Sequence, residues 1–149
     1  MSDKKKKPKS ALRQGPITPE SIGISIAHHQ VKTNIGGHNI FLGQVRADLI
    51  DGKKVVAIEY SAYEEMADKE IYNIREAAFE KFDLTCMHIY HSLGIVKSGE
   101  ISLFVFVSSA HRDACYQASR FIVEEIKAKV PIFGKEILED GDFEWKENR

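Results

Sequence analysis

Apolar residues recur at three- and four-residue steps in two long stretches of the chain, residues 63–82 and 112–130. This spacing is the period of an α-helix that buries one face. The recurring positions are Met66, Ala67, Ile71, Ile74, Ala78 and Phe82 in the first stretch, and Ala114, Ala118, Phe121, Ile122, Ile126 and Val130 in the second. We therefore predict two substantial amphipathic helices.

The second helix also has end signals. Ser108 or Ser109 is predicted to be its N-cap, because a hydroxyl can accept a hydrogen bond from one of the first backbone N–H groups. Pro131 ends the helix, since proline cannot donate to the backbone ladder, and it pushes Val130 towards an extended conformation.

Shorter apolar runs alternate with polar residues, as strands do. Strands are predicted at 22–27, 39–46, 55–60, 85–92, 101–107 and, at an edge, 142–146; a brief helical turn is predicted at 28–33. We expect 39–46 to form a hairpin with 55–60 across Asp51-Gly52, and 85–92 to form another with 101–107. Gly43 inside a strand suggests a bulge. The sum is an α+β fold with a mostly antiparallel sheet.

The charge is unevenly distributed along the 149 residues. The first thirteen carry six basic groups and one acidic group, whereas the whole chain has a net charge of −1, so the remainder is acidic. We expect residues 1–20 to be a disordered basic tail and residues 21–149 to form a single domain. An acidic body argues against a broad nucleic-acid footprint. Since no run has membrane-spanning length and no apolar signal core follows the basic start, we expect a cytoplasmic protein.

Several familiar chemistries lose their usual motifs. The chain has no G-x-G-x-x-G, Walker loop or G-x-S-x-G elbow. Cys86 and Cys115 lack metal-ligand spacing, and buried reduced thiols are favoured over a disulfide. His88 and His91 lie three residues apart on a predicted strand, which places them on opposite faces and argues against a zinc site. No motif requires a metal or an organic cofactor.

Cations cluster at both ends of the second helix. They are His111 and Arg112 at its start, and Lys127, Lys129 and Lys135 at or after its end. A helix N-terminus beside an arginine and a histidine suits a phosphate. The alternative, a surface arginine beside a capping histidine, is the commoner meaning of such spacing alone.

Five blocks in order give the chain a family resemblance. They are F-L-G-Q-V-R at 41–46, I-E-Y-S-A-Y-E-E-M at 58–66, H-S-L-G with a later G-E at 91–100, S-S-A-H-R at 108–112 and K-A-K-V-P-I-F-G-K-E at 127–136. With these blocks the chain resembles the large, catalytic subunit of molybdopterin synthase.

The resemblance implies a fold with a hammerhead-like subdomain and a homodimer that binds two copies of a small ubiquitin-like sulfur-carrier subunit, giving a heterotetramer. The carrier's C-terminal Gly-Gly, charged as a thiocarboxylate, would deliver sulfur to cyclic pyranopterin monophosphate. Two transfers would form the dithiolene of molybdopterin. The implied activity is a sulfurtransferase of molybdenum cofactor biosynthesis.

The resemblance also implies roles for single residues. Arg46, His111 and Arg112 match positions that bind the anion and the pterin, and Lys127 matches the essential lysine near the helix end. Further substrate-pocket positions fall on Phe41, Gln44, Val45, Gly134 and Glu136. Guanidinium and imidazole groups suit a phosphate, while an ammonium can attract a thiocarboxylate or stabilise developing negative charge.

One position departs from the family pattern. The family has two adjacent basic residues before Glu136, whereas this chain has Gly134 and Lys135. Adjacent side chains of an extended segment point opposite ways, so Lys135 can replace the missing lysine only if Gly134 permits a bend. We favour that replacement and predict catalytic roles for Lys127 and Lys135. The alternative is a non-catalytic dimeric module that binds the carrier tail.

Helix length separates the predicted site residues. His111 and Lys127 are sixteen residues apart, which is ~24 Å along a straight helix at about 1.5 Å per residue. One small pocket cannot take both from the same helix. We therefore expect Arg46, Lys127 and Lys135 to come from one protomer, and His111 and Arg112 from its dimer mate.

Overall fold

The computed structural model describes residues 9–146. Within that range the chain forms three helices, α1 (Pro19–Gln30), α2 (Glu64–Lys81) and α3 (Arg112–Lys129). It also forms eight strands: β1 (Leu12–Gln14), β2 (Gly37–Gln44), β3 (Leu49–Ile50), β4 (Lys53–Ala62), β5 (Cys86–Lys97), β6 (Ile101–Ser109), β7 (Ile132–Leu138) and β8 (Phe143–Trp145). None of the three helices is long and apolar enough to cross a membrane.

The strands form one sheet in the order β2-β6-β5-β4-β7-β8, with β1 added beside β5 and β3 beside β4. Every pairing between these strands is antiparallel except β1 with β5. The long strand β5 pairs with β6 through its first half and with β4 through its second half. The α+β class, the mostly antiparallel sheet and the hairpin of β5 with β6 are confirmed.

The predicted hairpin between residues 39–46 and 55–60 is wrong. Strand β2 pairs with β6, which is distant in sequence, and the Asp51-Gly52 turn instead joins β3 to β4. Both turn residues have positive φ, 51° and 78°, as a tight two-residue hairpin turn requires. The bulge at Gly43 is confirmed by a register shift between Gly43 and Gln44.

The main core lies between one side of the sheet and the helices α2 and α3. The two predicted helices are confirmed, and their apolar stripes supply most of the buried helical residues. These are Ala67, Ile71, Ile74 and Ala78 from α2, and Cys115, Ala118, Ile122 and Ile126 from α3. Each fully buried isoleucine or valine contributes roughly 1.5–3 kcal/mol of transfer free energy, so these stripes hold both helices on the sheet.

Residues 22–30 lie in α1, so the predicted strand at 22–27 is wrong, whereas the helical turn predicted at 28–33 is helical at 28–30 as the end of this longer helix. Thr18 caps this helix by accepting a hydrogen bond from the Ser21 N–H, and Pro19 occupies its first turn. Ile22 and Ile26 pack on a cluster that contains Phe104 and Phe106. The isoleucines at 22, 24 and 26 imitate a strand period, but the middle one is exposed.

The predicted cap of α3 is also wrong, because β6 runs through Ser109. Ser108 and Ser109 are buried in that strand, and His111 occupies the N-cap position without a side-chain capping bond. The opposite end is as predicted: Val130 is extended and Pro131 leads into β7. The chain therefore passes directly from the end of α3 into the sheet.

The prediction that residues 1–20 form a disordered tail is wrong for residues 11–20. Residues 1–8 lie outside the described residues, but Ala11 and Leu12 are buried in the main core and β1 runs beside β5. Residues 11–20 are therefore part of the fold and not a disordered tail. Cys115 is buried, Cys86 is half-buried, and both are free thiols.

Candidate functional site

A cavity of about 550 Å³ opens where the end of α3 meets the middle of the sheet. This volume lies within the range of small-molecule sites. Its walls come from six strands or their ends and from the last turn of α3. The polar side chains that line it are Gln44, Tyr60, His91, Ser102, Lys127, Lys129 and Lys146, and Gly134 forms part of the wall.

Lys127 lies on the last turn of α3 and contributes to the cavity wall. A cation is stabilised here by the negative end of the helix dipole. Lys129 lies on the same turn, but its Nζ donates to Glu125 Oε1 at 2.7 Å. Lys129 is therefore held along the helix surface by an ion pair with the residue one turn before it.

Lys146 lies beside Gly134, the position where the family pattern has a lysine. The Lys146 N–H donates to the Gly134 carbonyl oxygen at 2.8 Å. A Cβ built on Gly134 would be 3.6 Å from the Lys146 Cβ. The side chain of Lys146 thus starts next to the place where the missing lysine would have started, and it lines the same cavity.

His91 lies at the back of this cavity, where it is only 8% exposed. Its pKa is lowered to about 4, first by burial and then by the positive charges of Lys127 and Lys146. Nδ1 donates to the Ser92 carbonyl oxygen at 2.8 Å. The ring is therefore neutral near pH 7, and Nε2 carries the lone pair.

Tyr60 completes the floor next to His91. The two rings meet edge to face with centroids 5.0 Å apart, and the Tyr60 hydroxyl lies 3.0 Å from Ser102 Oγ. Burial raises the pKa of Tyr60, the hydrogen bond with Ser102 lowers it, and the nearby charge of Glu136 raises it. The cavity therefore combines the lysines Lys127, Lys129 and Lys146 with a neutral imidazole and a neutral phenol.

Lys135 lies outside this cavity. Strand β7 pairs regularly with β4 at this point, with Gly134 opposite Tyr60 and Lys135 opposite Glu59, so the bend needed for the replacement is absent. Lys135 Nζ lies 3.9 Å from Glu59 Oε1 and 4.3 Å from the ring centroid of Phe143. Its ammonium is held between a carboxylate and an aromatic face.

The other predicted pocket residues are dispersed. Gln44 and Gly134 line the cavity, whereas Val45 is buried with Ile58 and Val96. Glu136 is 3% exposed on β7, within electrostatic reach of Tyr60. Phe41 lines a separate shallow groove between β2 and α3. Arg46 follows β2 and is paired with Asp48 at 3.2 Å.

His111 and Arg112 lie at the opposite end of α3 from Lys127. Both are exposed, and neither lines the cavity. The Arg112 Cα would lie 3.6 Å from a Cβ on Gly37, so Gly37 allows β2 to pass close to the helix start. One chain therefore does not bring the predicted phosphate ligands to the predicted lysine.

Sequence reasoning missed Lys146, His91 and Tyr60 as cavity residues. A signal for Lys146 was present: the Asp140-Gly141 turn joins β7 to β8, and the register pairs Lys135 with Trp145 and Ile137 with Phe143. Continuing that register by one residue places Lys146 opposite Gly134. His91 and Tyr60 lay within the family blocks but carried no separate chemical signature.

Comparisons with known proteins agree on one family. The chain matches the model described as "MoaE protein" over residues 13–129. It is 37% identical to the molybdopterin synthase catalytic subunit of Aspergillus fumigatus, covering 89% of this chain and 71% of that one. It is 38% identical to the subunit of the same name from Pyrococcus abyssi, covering 84% of each. The crystal structure of molybdopterin synthase from Staphylococcus aureus superposes with a TM-score of 0.80 at 31% identity, covering 93% of this chain and 96% of that one.

Proposed function

Because the chain belongs to the MoaE family, we infer that it is a molybdopterin synthase catalytic subunit, a sulfurtransferase of molybdenum cofactor biosynthesis. We propose that it takes sulfur from the C-terminal thiocarboxylate of a small ubiquitin-like carrier and transfers it to cyclic pyranopterin monophosphate. Two transfers give the dithiolene of molybdopterin.

The observation that carries the site assignment is the pair of lysines, Lys127 and Lys146, in one cavity. Both residues line the same cavity as the buried ring of His91, and both charges lower the pKa of that ring. We propose that the carrier's thiocarboxylate enters here and is held by these two ammonium groups. After the sulfur has bonded to the substrate carbon, water attacks the resulting thioester, and the carrier leaves as a carboxylate while the sulfur stays on the substrate. The two ammonium groups lower the energy of the oxyanion that develops in this second step.

Lys146 takes the role that we first assigned to Lys135. The regular ladder of β7 directs Lys135 to Glu59 and Phe143, whereas Lys146 starts beside Gly134 and lines the cavity. This placement supports a catalytic chain over the docking-only module, since the loss of one lysine from β7 is offset by another from β8.

The substrate phosphate requires more cations than the cavity of one chain provides. We propose that Arg46 and, from the dimer mate, His111 and Arg112 bind it. The separation of His111 and Lys127 at opposite ends of the 18-residue helix α3 supports a site shared by two protomers. The working assembly is then a homodimer with two carriers, a heterotetramer.

Two broader expectations remain proposals. We propose that residues from the start of β1 onward act as one domain, which the family match from residue 13 supports. We also propose that the protein works in the cytoplasm, where thiols such as Cys86 and Cys115 stay reduced.

The assignment is tested by single-turnover formation of dithiolene product from thiocarboxylated carrier and cyclic pyranopterin monophosphate. Lys127→Ala and Lys146→Ala should each lower the rate by roughly 10²–10³, the usual effect of removing one group that stabilises transition-state charge. Lys135→Ala is the matched control from the neighbouring strand and should retain a rate near that of the unmodified chain. A steep loss in Lys135→Ala with none in Lys146→Ala would reverse the assignment.

A relocated lysine sharpens this test. Adding Gly134→Lys to Lys146→Ala should recover about tenfold, because the ammonium returns to the same cavity from the adjacent strand. Recovery stays partial, since the new Cβ would lie 3.0 Å from Ile58 Cγ2 and crowd the wall. Carrier binding without product in the unmodified chain would instead favour the docking module.

A further inference from the structure

A second cluster of reactive side chains lies away from the cavity, where α1 crosses the start of β5. His29 lies in the last turn of α1, and Cys86 and His88 are the first and third residues of β5. The two β5 residues share a strand face because they are two positions apart. One nitrogen from each histidine and the Cys86 sulfur all lie within 4.8 Å of one another.

The His29 ring is oriented as a metal ligand would be. Its Nδ1 donates to the Ser25 carbonyl oxygen at 2.6 Å, which leaves the lone pair of the neutral ring on Nε2. That Nε2 lies 2.9 Å from His88 Nε2. A ring nitrogen fixed by a backbone carbonyl while the other nitrogen faces its partners is the usual arrangement around protein-bound metals.

Packing fixes the position of the cluster. His29 is 6% exposed, and its ring lies against Phe106 with centroids 4.6 Å apart. Cys86 and His88 are half-buried, so the cluster opens to solvent on one side. Two fixed imidazoles with a half-exposed thiol leave room for a fourth ligand from water.

From this geometry we propose that His29, Cys86 and His88 bind one Zn²⁺ ion, with water as the fourth ligand. Imidazole and thiolate are the ligands that zinc prefers, and three protein ligands plus water is a known zinc arrangement. Two imidazole nitrogens on a tetrahedral zinc lie about 3.3 Å apart, given zinc–nitrogen bonds of about 2.0–2.1 Å. The observed separation needs to widen by only about 0.4 Å, and the Cys86 thiol releases its proton to solvent as the zinc–sulfur bond forms.

Lys32 is the competitor of the ion. Its Nζ donates to Cys86 Sγ at 2.8 Å, so this ammonium competes with the ion for the sulfur. Lys32 is exposed and can turn into solvent. Zinc then joins α1 to β5 directly, in addition to the apolar contacts of Ile22 and Ile26 with the sheet.

The test uses the full chain without a histidine tag, stripped of metal by a chelator and kept reduced with a non-thiol reductant. Co²⁺ added as a spectroscopic probe should bind one per chain and give the intense visible bands of a tetrahedral site with a sulfur-to-cobalt charge-transfer band. Zn²⁺ should displace it and raise the melting temperature by roughly 5–10 °C at a hundredfold excess over Kd.

Variants separate this site from incidental binding. Cys86→Ser should abolish the charge-transfer band, and His88→Gln should weaken Zn²⁺ binding at least tenfold. His28→Gln, the exposed neighbour on α1, is the matched control and should bind like the unmodified chain. Lys32→Met should tighten binding several-fold. Absence of a stoichiometric sulfur-to-cobalt band in the unmodified chain, or equal Zn²⁺ affinity in His88→Gln and His28→Gln, would overturn the proposal.

Discussion

The two ends of α3 carry similar cations in opposite electrostatic settings. At the carboxyl end, Lys127 and Lys129 lie where the helix dipole favours positive charge. At the amino end, the Arg112 guanidinium adds positive charge beside the positive pole, an arrangement that costs roughly 0.3–1 kcal/mol unless an anion is present. The cations of the carboxyl end suit the helix itself, whereas those of the amino end suit an anionic ligand.

The two ends also differ in enclosure. The carboxyl end opens onto a 550 Å³ cavity whose walls come from the same chain. The amino end is exposed, and its residues His111 and Arg112 line neither this cavity nor the shallow groove between β2 and α3. The carboxyl end is therefore a nearly complete site. We propose that the amino end supplies ligands to the cavity of the dimer mate.

The largest effect is expected in mixed dimers, which test whether the amino end of α3 from one protomer completes the cavity of the other. The rate should fall by roughly 10²–10³ in the His111→Ala homodimer and in the Lys127→Ala homodimer, because both sites of each dimer lose a charge-stabilising group. A dimer with one chain of each kind has one site carrying both changes and one carrying neither. It should recover about half the activity of the unmodified dimer, because a two-fold dimer has two equivalent sites.

The measurement is product formation by purified mixed dimers, isolated with two different affinity tags. The control is a mixed dimer of Lys127→Ala with Lys146→Ala. Those two changes lie in the same cavity, so each site of that dimer keeps one defect and activity should stay low. Equal recovery in both mixed dimers, or none in either, would contradict a site shared in this way.

A smaller effect is expected from Gly36, which lies where β2 starts beside the amino end of α3. A Cβ there would overlap the Ala110 carbonyl oxygen, a backbone atom that can move only with the loop preceding α3. Gly36→Ala should therefore lower the free energy of unfolding by about 2–3 kcal/mol. Gly23→Ala in α1 meets no atom within 4 Å and should raise it by roughly 0.5–1 kcal/mol. Urea unfolding of both variants gives the comparison; similar stabilities would mean that the amino end adapts freely.

The sequence predicted those parts of the fold that repeat a period over many residues. The helices α2 and α3 and the hairpin of β5 with β6 followed from local spacing. The pairing of β2 with β6 did not, because an alternating pattern indicates a strand without identifying its partner. Helix α1 was missed although Thr18 and Pro19 form a typical helix start, since three alternating isoleucines imitated a strand.

The candidate site was predictable to the extent that single residues matched family blocks. Lys127, Gln44 and Gly134 were placed in the cavity region by those blocks. Lys135 could reach the cavity only if Gly134 bent the strand. The continuous pairing of β7 with β4 shows that the strand does not bend there. Lys146 is outside every block and reaches the cavity through the register of β7 with β8, a three-dimensional relation that motif matching does not contain.

The smallest expected effect concerns pH and the enclosed end of α3. The folded-state pKa of His91 is about 4, while its ordinary value is 6.5, so the unfolded chain binds a proton at pH 5 that the folded chain does not. The contribution of His91 to the free energy of unfolding is therefore fully present above pH 6.5 and is lost as the pH drops from 6.5 to 4. The loss between pH 7 and pH 5 is about 2 kcal/mol. His91→Gln should remove this pH dependence, as measured by urea unfolding at pH 7 and pH 5.

His88 has a similarly lowered pKa of about 4, chiefly from burial. Its contribution is common to both proteins, so the difference between their slopes isolates His91. Identical slopes would mean that the pKa of His91 is not lowered in the folded protein, and that its ring accepts a proton in the cavity.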